Sequence, residues 1–186
     1  VLKPFMRTPR PTRRVEDAEV VRLAGREWVS LHTPGHTADH LCLYDPAEGV
    51  VLSGDHVLPT ITPHISGLDA GSGTDSLTAF FDSLDKVAAL EGVRHVLPAH
   101  GHPFTDLAGR AQAIKDHHAE RLQTLRDAAA ELGSATVGEL SKRLFRPRSW
   151  GQMAESETYA HLEHLRALGQ AESRRERGEL RYRLVD

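Results

Sequence analysis

The sequence has 186 residues, 39% of them hydrophobic and 26% charged, with a formal net charge of -3. That size suits one ordinary domain, or a domain with a small module. No apolar run reaches membrane-span length, nothing reads as a secretory leader, and the single Cys42 rules out a disulfide framework, so a reducing, cytoplasmic compartment is expected.

The charge is unevenly spread. Between residues 30 and 106 ten acidic residues face only Lys86 and Arg94, and eight of the 12 His lie in the same stretch. Carboxylates mixed with imidazoles suit a divalent metal better than a polyanion. The chain starts with Val rather than Met, so a piece of something longer is expected.

Residues 1 to 17, rich in Arg and Pro, read as a loop or linker. Glu19 to Leu23 and Glu27 to His32 flank Ala24-Gly25-Arg26 and predict a hairpin. The apolar run Trp28, Val29, Leu31 stops at Thr33-Pro34-Gly35, and the Pro-Gly turn delivers His36 just past a strand end. Leu41 to Tyr44 starts a second strand, 45 to 49 turns the chain, and Val50 to Leu52 returns it to Ser53-Gly54-Asp55. Pro59 and Pro63 exclude a central strand over 56 to 67, which reads as an ordered loop crossing the site. Leu77, Phe80, Phe81, Leu84, Val87 and Ala88 keep helical spacing, with Thr74 or Asp75 as cap and Gly92 as stop. Val93 to Leu97 is a short strand that ends at Pro98-Ala99-His100.

The pattern changes after Phe104. A long helix runs from Leu107 to Leu132, stopped by Gly133, and Thr136 to Glu139 is a capping box opening a short helix. A third helix is expected from about Ser156 to Leu168, then a hairpin about Arg177-Gly178. Three helices and a two-stranded wing are the order of a winged-helix module.

Three residues stand out as candidate ligands: His36, Asp55 and His100. Each follows an apolar strand at a turn marked by Gly or Pro, and ligands must converge from separate elements. Thr-Pro-Gly-His-Thr at 33 to 37, Ser-Gly-Asp at 53 to 55 and Pro-Ala-His-Gly at 98 to 101 resemble successive motifs of the metallo-β-lactamase superfamily in order and spacing. The resemblance covers about residues 18 to 104. The remaining C-terminal segment is similar to the winged-helix appendage of one branch, which includes β-lactamase-like endoribonucleases and glyoxalase II-like hydrolases. The resemblance implies an α/β fold: the C-terminal half of an αββα sandwich over 18–104, then an α+β winged-helix domain over 105–186. It implies a two-metal site, usually zinc, with His36 on the first metal, His100 on the second, and Asp55 bridging both as the catalytic carboxylate.

The family's His-x-His-x-Asp-His motif is absent, and so is the β-rich half that carries it. The expectation is therefore the C-terminal portion of a metal-dependent hydrolase acting on an ester, thioester, lactam or phosphodiester, inactive alone. A small molecule or RNA would be the parent's substrate. The unpaired half-sandwich predicts a dimer or a complementing N-terminal half. His40 and His56 lie close enough in sequence to the ligands for contact with them or with substrate, with surface exposure the bland alternative; His64, in the crossing loop, reads as a substrate contact or a plain loop residue, and Asp39 as orienting a ligand or capping a turn. His118, on an apolar helical stripe, reads as a hydrogen-bonded core residue, while His161 and His164, at i and i+3 on a helix, read as solvent-facing, with pairing on a metal the alternative.

The Arg-rich wing opens a rival reading, a nucleic-acid-binding winged-helix module with a degenerate hydrolase remnant. Interleaved Glu172, Glu176 and Glu179, and the acidic Glu155, Glu157 and Glu163 on the third helix, argue against sequence-specific DNA. No membrane partner is expected.

Overall fold

Ala24 and Gly25 both have positive φ, 51° and 74°, as a two-residue hairpin turn requires. They join β1 (Val20–Leu23) to β2 (Arg26–His32). β3 (Leu41–Asp45) and β4 (Val50–Gly54) come next, and Asp45 closes their turn by accepting the amides of Ala47 and Glu48. The computed structural model describes residues 12–67 and 75–185. Residues 1 to 11 of the expected 1 to 17 loop, and the break before Asp75, lie outside them.

After the crossing loop comes α1 (Ser76–Ala88). Asp75 is its cap, accepting the amides of Leu77 and Thr78, while the alternative Thr74 lies outside the described residues. β5 (His95–Pro98) is displaced from the expected 93 to 97, because the amides of Arg94 and His95 both donate to the Gly49 carbonyl in the turn below. The strands form a mixed sheet in the order β1-β2-β3-β4-β5. The first four pair antiparallel, and β5 joins β4 in parallel. β2, β4 and β5 therefore point the same way, and their C-terminal ends lie along one edge.

The two faces of this sheet differ. Leu31, Cys42, Val51 and Val96 are buried with Leu77, Phe80, Leu84 and Val87 of α1 in one continuous core. On the other face Leu43, Leu52 and Leu97 stand in register. There Leu43 and Leu52 are half-buried and Leu97 is 38% exposed.

The remaining elements are α2 (Leu107–Leu132), β6 (Ala135–Thr136), α3 (Val137–Leu144), a 3-10 turn (Pro147–Ser149), α4 (Gln152–Ala167), β7 (Ala171–Glu176) and β8 (Glu179–Leu184). The capping box forms as predicted, with Thr136 and Glu139 exchanging hydrogen bonds. α4 begins earlier than the expected Ser156, straight after Gly151 at φ 143°. The β7-β8 hairpin turns at Arg177 and Gly178, both at positive φ. It gains a third strand that the sequence did not suggest: β6, two residues long, pairs with β8. Two residues are too few for a periodicity to register. Tyr182 is buried under this sheet with its hydroxyl donating to Glu163, and burial together with that carboxylate pushes the phenol pKa up.

Candidate functional site

The common edge of β2, β4 and β5 carries the three candidate ligands. His36 lies in the turn between β2 and β3. Ser83 of α1 donates to the Pro34 carbonyl at 2.9 Å, and Gly35 sits at φ 138° so close to α1 that a Cβ there would lie 2.7 Å from the Phe80 Cα. The helix thus presses the turn into place, and only glycine fits. Asp55 follows Gly54, whose φ of 54° accompanies a register shift between β4 and β5. His100 follows β5, and the next residue, Gly101, packs so tightly that a Cβ would lie 2.7 Å from Pro59 Cγ.

The structure brings the three side chains together. Asp55 Oδ2 lies 3.9 Å from His36 Nε2, and Asp55 Oδ1 lies 3.4 Å from His100 Nε2. Each carboxylate oxygen faces a different imidazole, and all three residues reach solvent. The His36 Nδ1 lies 2.7 Å from the His64 carbonyl. A carbonyl only accepts, so Nδ1 carries a proton, and in the neutral ring the lone pair is on Nε2, the nitrogen that faces Asp55. Fixing a ligating imidazole through its other nitrogen is how metal sites orient their ligands. The three residues do not bring one donor atom each within 4.8 Å of one another, so a single cation would not reach all of them as placed; the His36–Asp55 and Asp55–His100 pairs could each contribute to a separate one.

The neighbours divide. His40 Nε2 accepts the Asp55 amide at 3.2 Å, so its Nδ1 donates to Thr33 Oγ1 at 2.7 Å. Both nitrogens are engaged, and His40 shapes the Asp55 backbone rather than offering a ligand. Burial first, then the nearby His36, lower its pKa against the opposing pull of Asp55. Gly54 is required here as well, since a Cβ would lie 2.6 Å from His40 Nε2. His56 is fully buried, edge-on to Phe80 at 5.1 Å and tilted against His40, so surface exposure is wrong for it. Burial pushes its pKa down to about 3. Asp39 is exposed and lines a hollow with Asp17, His32 and Leu41. Cys42 fills core as expected, and burial raises its thiol pKa to about 11.

His64 lies in the loop over 56 to 67, which crosses the site as expected. Arg110 of α2 donates to the carbonyls of Leu58 and Ile61, and the His64 ring donates through Nδ1 to Glu157 of α4 at 3.2 Å.

Sequence reasoning missed Glu157. The helical pattern places it on an acidic outer face of the third helix, yet it is only 7% exposed and pairs with Arg121 of α2. His161 and His164 are buried rather than solvent-facing. His164 donates from Nδ1 to Asp75 at 2.8 Å, tying α4 to the α1 cap. The available signal was Glu157 and His161 at i and i+4, one helix face.

His118, Glu157 and His161 also bring donor atoms within 4.8 Å of one another, a spacing that would admit a metal ion. Their hydrogen bonds argue otherwise. His161 Nδ1 donates to the Glu157 carbonyl, so its Nε2 accepts from His118 Nδ1 at 3.0 Å. Glu157 holds the Arg121 guanidinium, a fixed cation that opposes a second one. The cluster is a buried core in which His118 is hydrogen-bonded through Nδ1, as expected, while its Nε2 has no partner among the described residues.

A family model described as "Metallo-beta-lactamase superfamily" matches residues 2–137. The chain is 30% identical over 131 residues to an atrochrysone carboxyl ACP thioesterase of Aspergillus chevalieri, covering 67% of this chain and 39% of that protein. It is 28% identical over 153 residues to a lactamase-like protein of Penicillium aethiopicum, covering 73% of the chain and 46% of the relative. A metallo-beta-lactamase family protein of Thermus thermophilus superposes with a TM-score of 0.82 at 36% identity, covering 95% of this chain and 56% of that one. A beta-lactamase domain protein of Burkholderia ambifaria gives 0.89 at 29%, covering 96% and 54%. The chain thus spans less than half the length of these curated relatives and a little over half of the solved structures.

Proposed function

The chain belongs to the metallo-β-lactamase superfamily, and from that premise we propose that it carries the C-terminal ligands of a metal-dependent ester or thioester hydrolase. The observation that carries this reading is the meeting of His36, Asp55 and His100 at one sheet edge, with the carboxylate oxygens shared between the imidazoles. The donor set fits zinc: imidazole nitrogen with its tautomer fixed, and carboxylate oxygen. His36 would serve one ion, His100 the other, and Asp55 would bridge them. When bound, such ions supply an activated water and polarisation of the scissile group.

The residues present define what this chain contributes. His64 holds His36 in the binding tautomer, His40 fixes the Asp55 backbone, and the crossing loop bounds the site against Gly101. Three side chains are too few for two four-coordinate zinc ions. We read the missing ligands as belonging to a His-x-His-x-Asp-His segment outside this chain, consistent with its coverage of the solved structures. The half-exposed Leu43, Leu52 and Leu97 face is where the other half of an αββα sandwich would pack. A thioester is favoured over a phosphodiester by the thioesterase relatives.

Residues 107 to 184 keep the helix, helix, helix and hairpin order of a winged-helix module, and we assign them to packing against the hydrolase unit. Nucleic-acid binding is disfavoured by the acids on and beside the wing, which pair with two of its five arginines: Arg181 contacts Glu139, Glu176 and Glu179, and Arg183 contacts Glu172.

The test has two parts. Calorimetry should show zinc binding to the chain that Asp55→Ala abolishes. Hydrolysis of an acyl thioester should be negligible for the chain alone and restored with a complementing N-terminal half. Zinc affinity unchanged in Asp55→Ala, or family-like turnover by the chain alone, would overturn the reading.

A further inference from the structure

Glu157 lies on α4, and nothing in the motifs of the site points to it. Its side chain is nonetheless two contacts from a candidate ligand. One carboxylate oxygen takes the Arg121 guanidinium of α2, and the other accepts the His64 ring at 3.2 Å. The same residue, His64, presents its backbone carbonyl to His36 Nδ1 at 2.7 Å. A continuous path therefore runs from α2 through Glu157 and His64 to His36 Nε2, which faces Asp55.

Each link has a fixed direction. Arg121 can only donate, and the carboxylate can only accept, so the His64 Nδ1 must carry its proton toward Glu157. The carbonyl at the other end of His64 can only accept, so His36 must carry its proton on Nδ1. The path leaves no freedom in the tautomer or ring plane of His36. A crossing loop with two prolines and no strand partners cannot supply that rigidity alone. It is anchored from outside, by Arg110 on the carbonyls of Leu58 and Ile61 and by Glu157 on His64. Both anchors stand on the C-terminal helices. Burial of Glu157 at 7% exposure keeps the pair with Arg121 out of water, where screening would weaken it.

We propose that Glu157 is a positioning residue: clamped by Arg121, it holds His64 so that the His64 carbonyl fixes His36 in its ligating tautomer. The helical C-terminal unit is then part of the site's construction, acting on one ligand through one loop. The inference rests on the metal reading only for its functional consequence, since the hydrogen-bonded path exists without an ion.

The experiment uses the whole chain, labelled with nitrogen-15, and the variants His64→Leu, Glu157→Ala and Glu157→Gln. Two-bond proton–nitrogen spectra report the tautomer of His36, calorimetry reports zinc affinity, and circular dichroism confirms folding. The parent should show His36 as a single tautomer protonated on Nδ1. His64→Leu keeps the backbone carbonyl but cuts the tether, and at this half-exposed position the variant should fold. It should mix the His36 tautomers and weaken zinc binding about tenfold, as loss of a group that orients a ligand does. Glu157→Ala should behave alike, and Glu157→Gln, whose single amide oxygen can accept from His64 or from Arg121 but not from both, should fall between the parent and Glu157→Ala. A folded His64→Leu with an unchanged His36 tautomer and unchanged zinc affinity would overturn the proposal. If the parent chain itself bound no zinc, the metal reading would fall, and the tautomer spectra would still decide the tether.

Discussion

Acidification should destabilise this protein before its carboxylates protonate, because His118 and His161 are buried as a neutral pair. Burial first, then His161 and Arg121, pushes the His118 pKa down to about 2. Burial, then Arg121 and His164, lowers His161 to about 3. Both values lie below the unfolded histidine value of about 6.5. The unfolded chain therefore binds more protons across this window, and stability is complete above about pH 6.5 and falls as the pH drops toward the folded values. Each ring contributes a slope approaching about 1.4 kcal/mol per pH unit. From pH 7 to pH 5 the integrated loss is about 2 kcal/mol per ring, or about 4 kcal/mol for the pair. Against a typical stability of about 5 to 15 kcal/mol, that is a large fraction.

The assay is urea unfolding at pH 7, 6 and 5, compared with His118→Phe. Phe keeps the edge contacts that His118 makes with Phe80 and Phe81 and cannot titrate. The variant should lose about 2 kcal/mol less than the parent between pH 7 and pH 5. Parallel pH profiles for the two proteins would refute the argument, since the pair would then not be the group taking up protons on unfolding.

Three further outcomes rest on named contacts. Gly35→Ala should cost about 3 kcal/mol, from a strained φ and a clash with the Phe80 backbone, and should weaken zinc binding by shifting His36; a denaturation midpoint within error of the parent would contradict this. Asp75→Asn should destabilise the protein by about 1 to 3 kcal/mol, because it weakens the α1 cap and the His164 link together. Although burial raises the Asp75 pKa, the hydrogen bonds from Thr78 and His164 outweigh it and leave the carboxyl below its usual value; the Asp75 contribution is thus present at neutral pH and lost as the pH falls through the folded pKa, and chemical denaturation at pH 7 and pH 3 reads it. The Leu43, Leu52 and Leu97 face should drive concentration-dependent dimerisation that Leu97→Lys weakens, and a monomer at high concentration by sedimentation would count against it.

Much of the local structure was legible. α1 followed from the spacing of Leu77, Phe80 and Leu84, the capping box from Thr136 and Glu139, and two hairpins from Ala24-Gly25 and Arg177-Gly178. These depend on neighbours within a few residues, so periodicity and turn chemistry record them. The ligand set was legible for a different reason. Turns at strand ends mark His36, Asp55 and His100 individually, and the resemblance grouped them.

The sequence by itself determined that three strand tips carry imidazole, carboxylate and imidazole, and that a loop barred from strand pairing by Pro59 and Pro63 follows the second of them. The tertiary structure alone decided that β2, β4 and β5 point the same way, so that those tips meet, and that His56, Glu157, His161 and His164 are buried. Burial and ion pairing across 36 residues, as between Arg121 and Glu157, arise from how α2 and α4 cross. No local pattern encodes that crossing, so a glutamate on an acidic-looking helix face reads as solvated until its guanidinium partner is found.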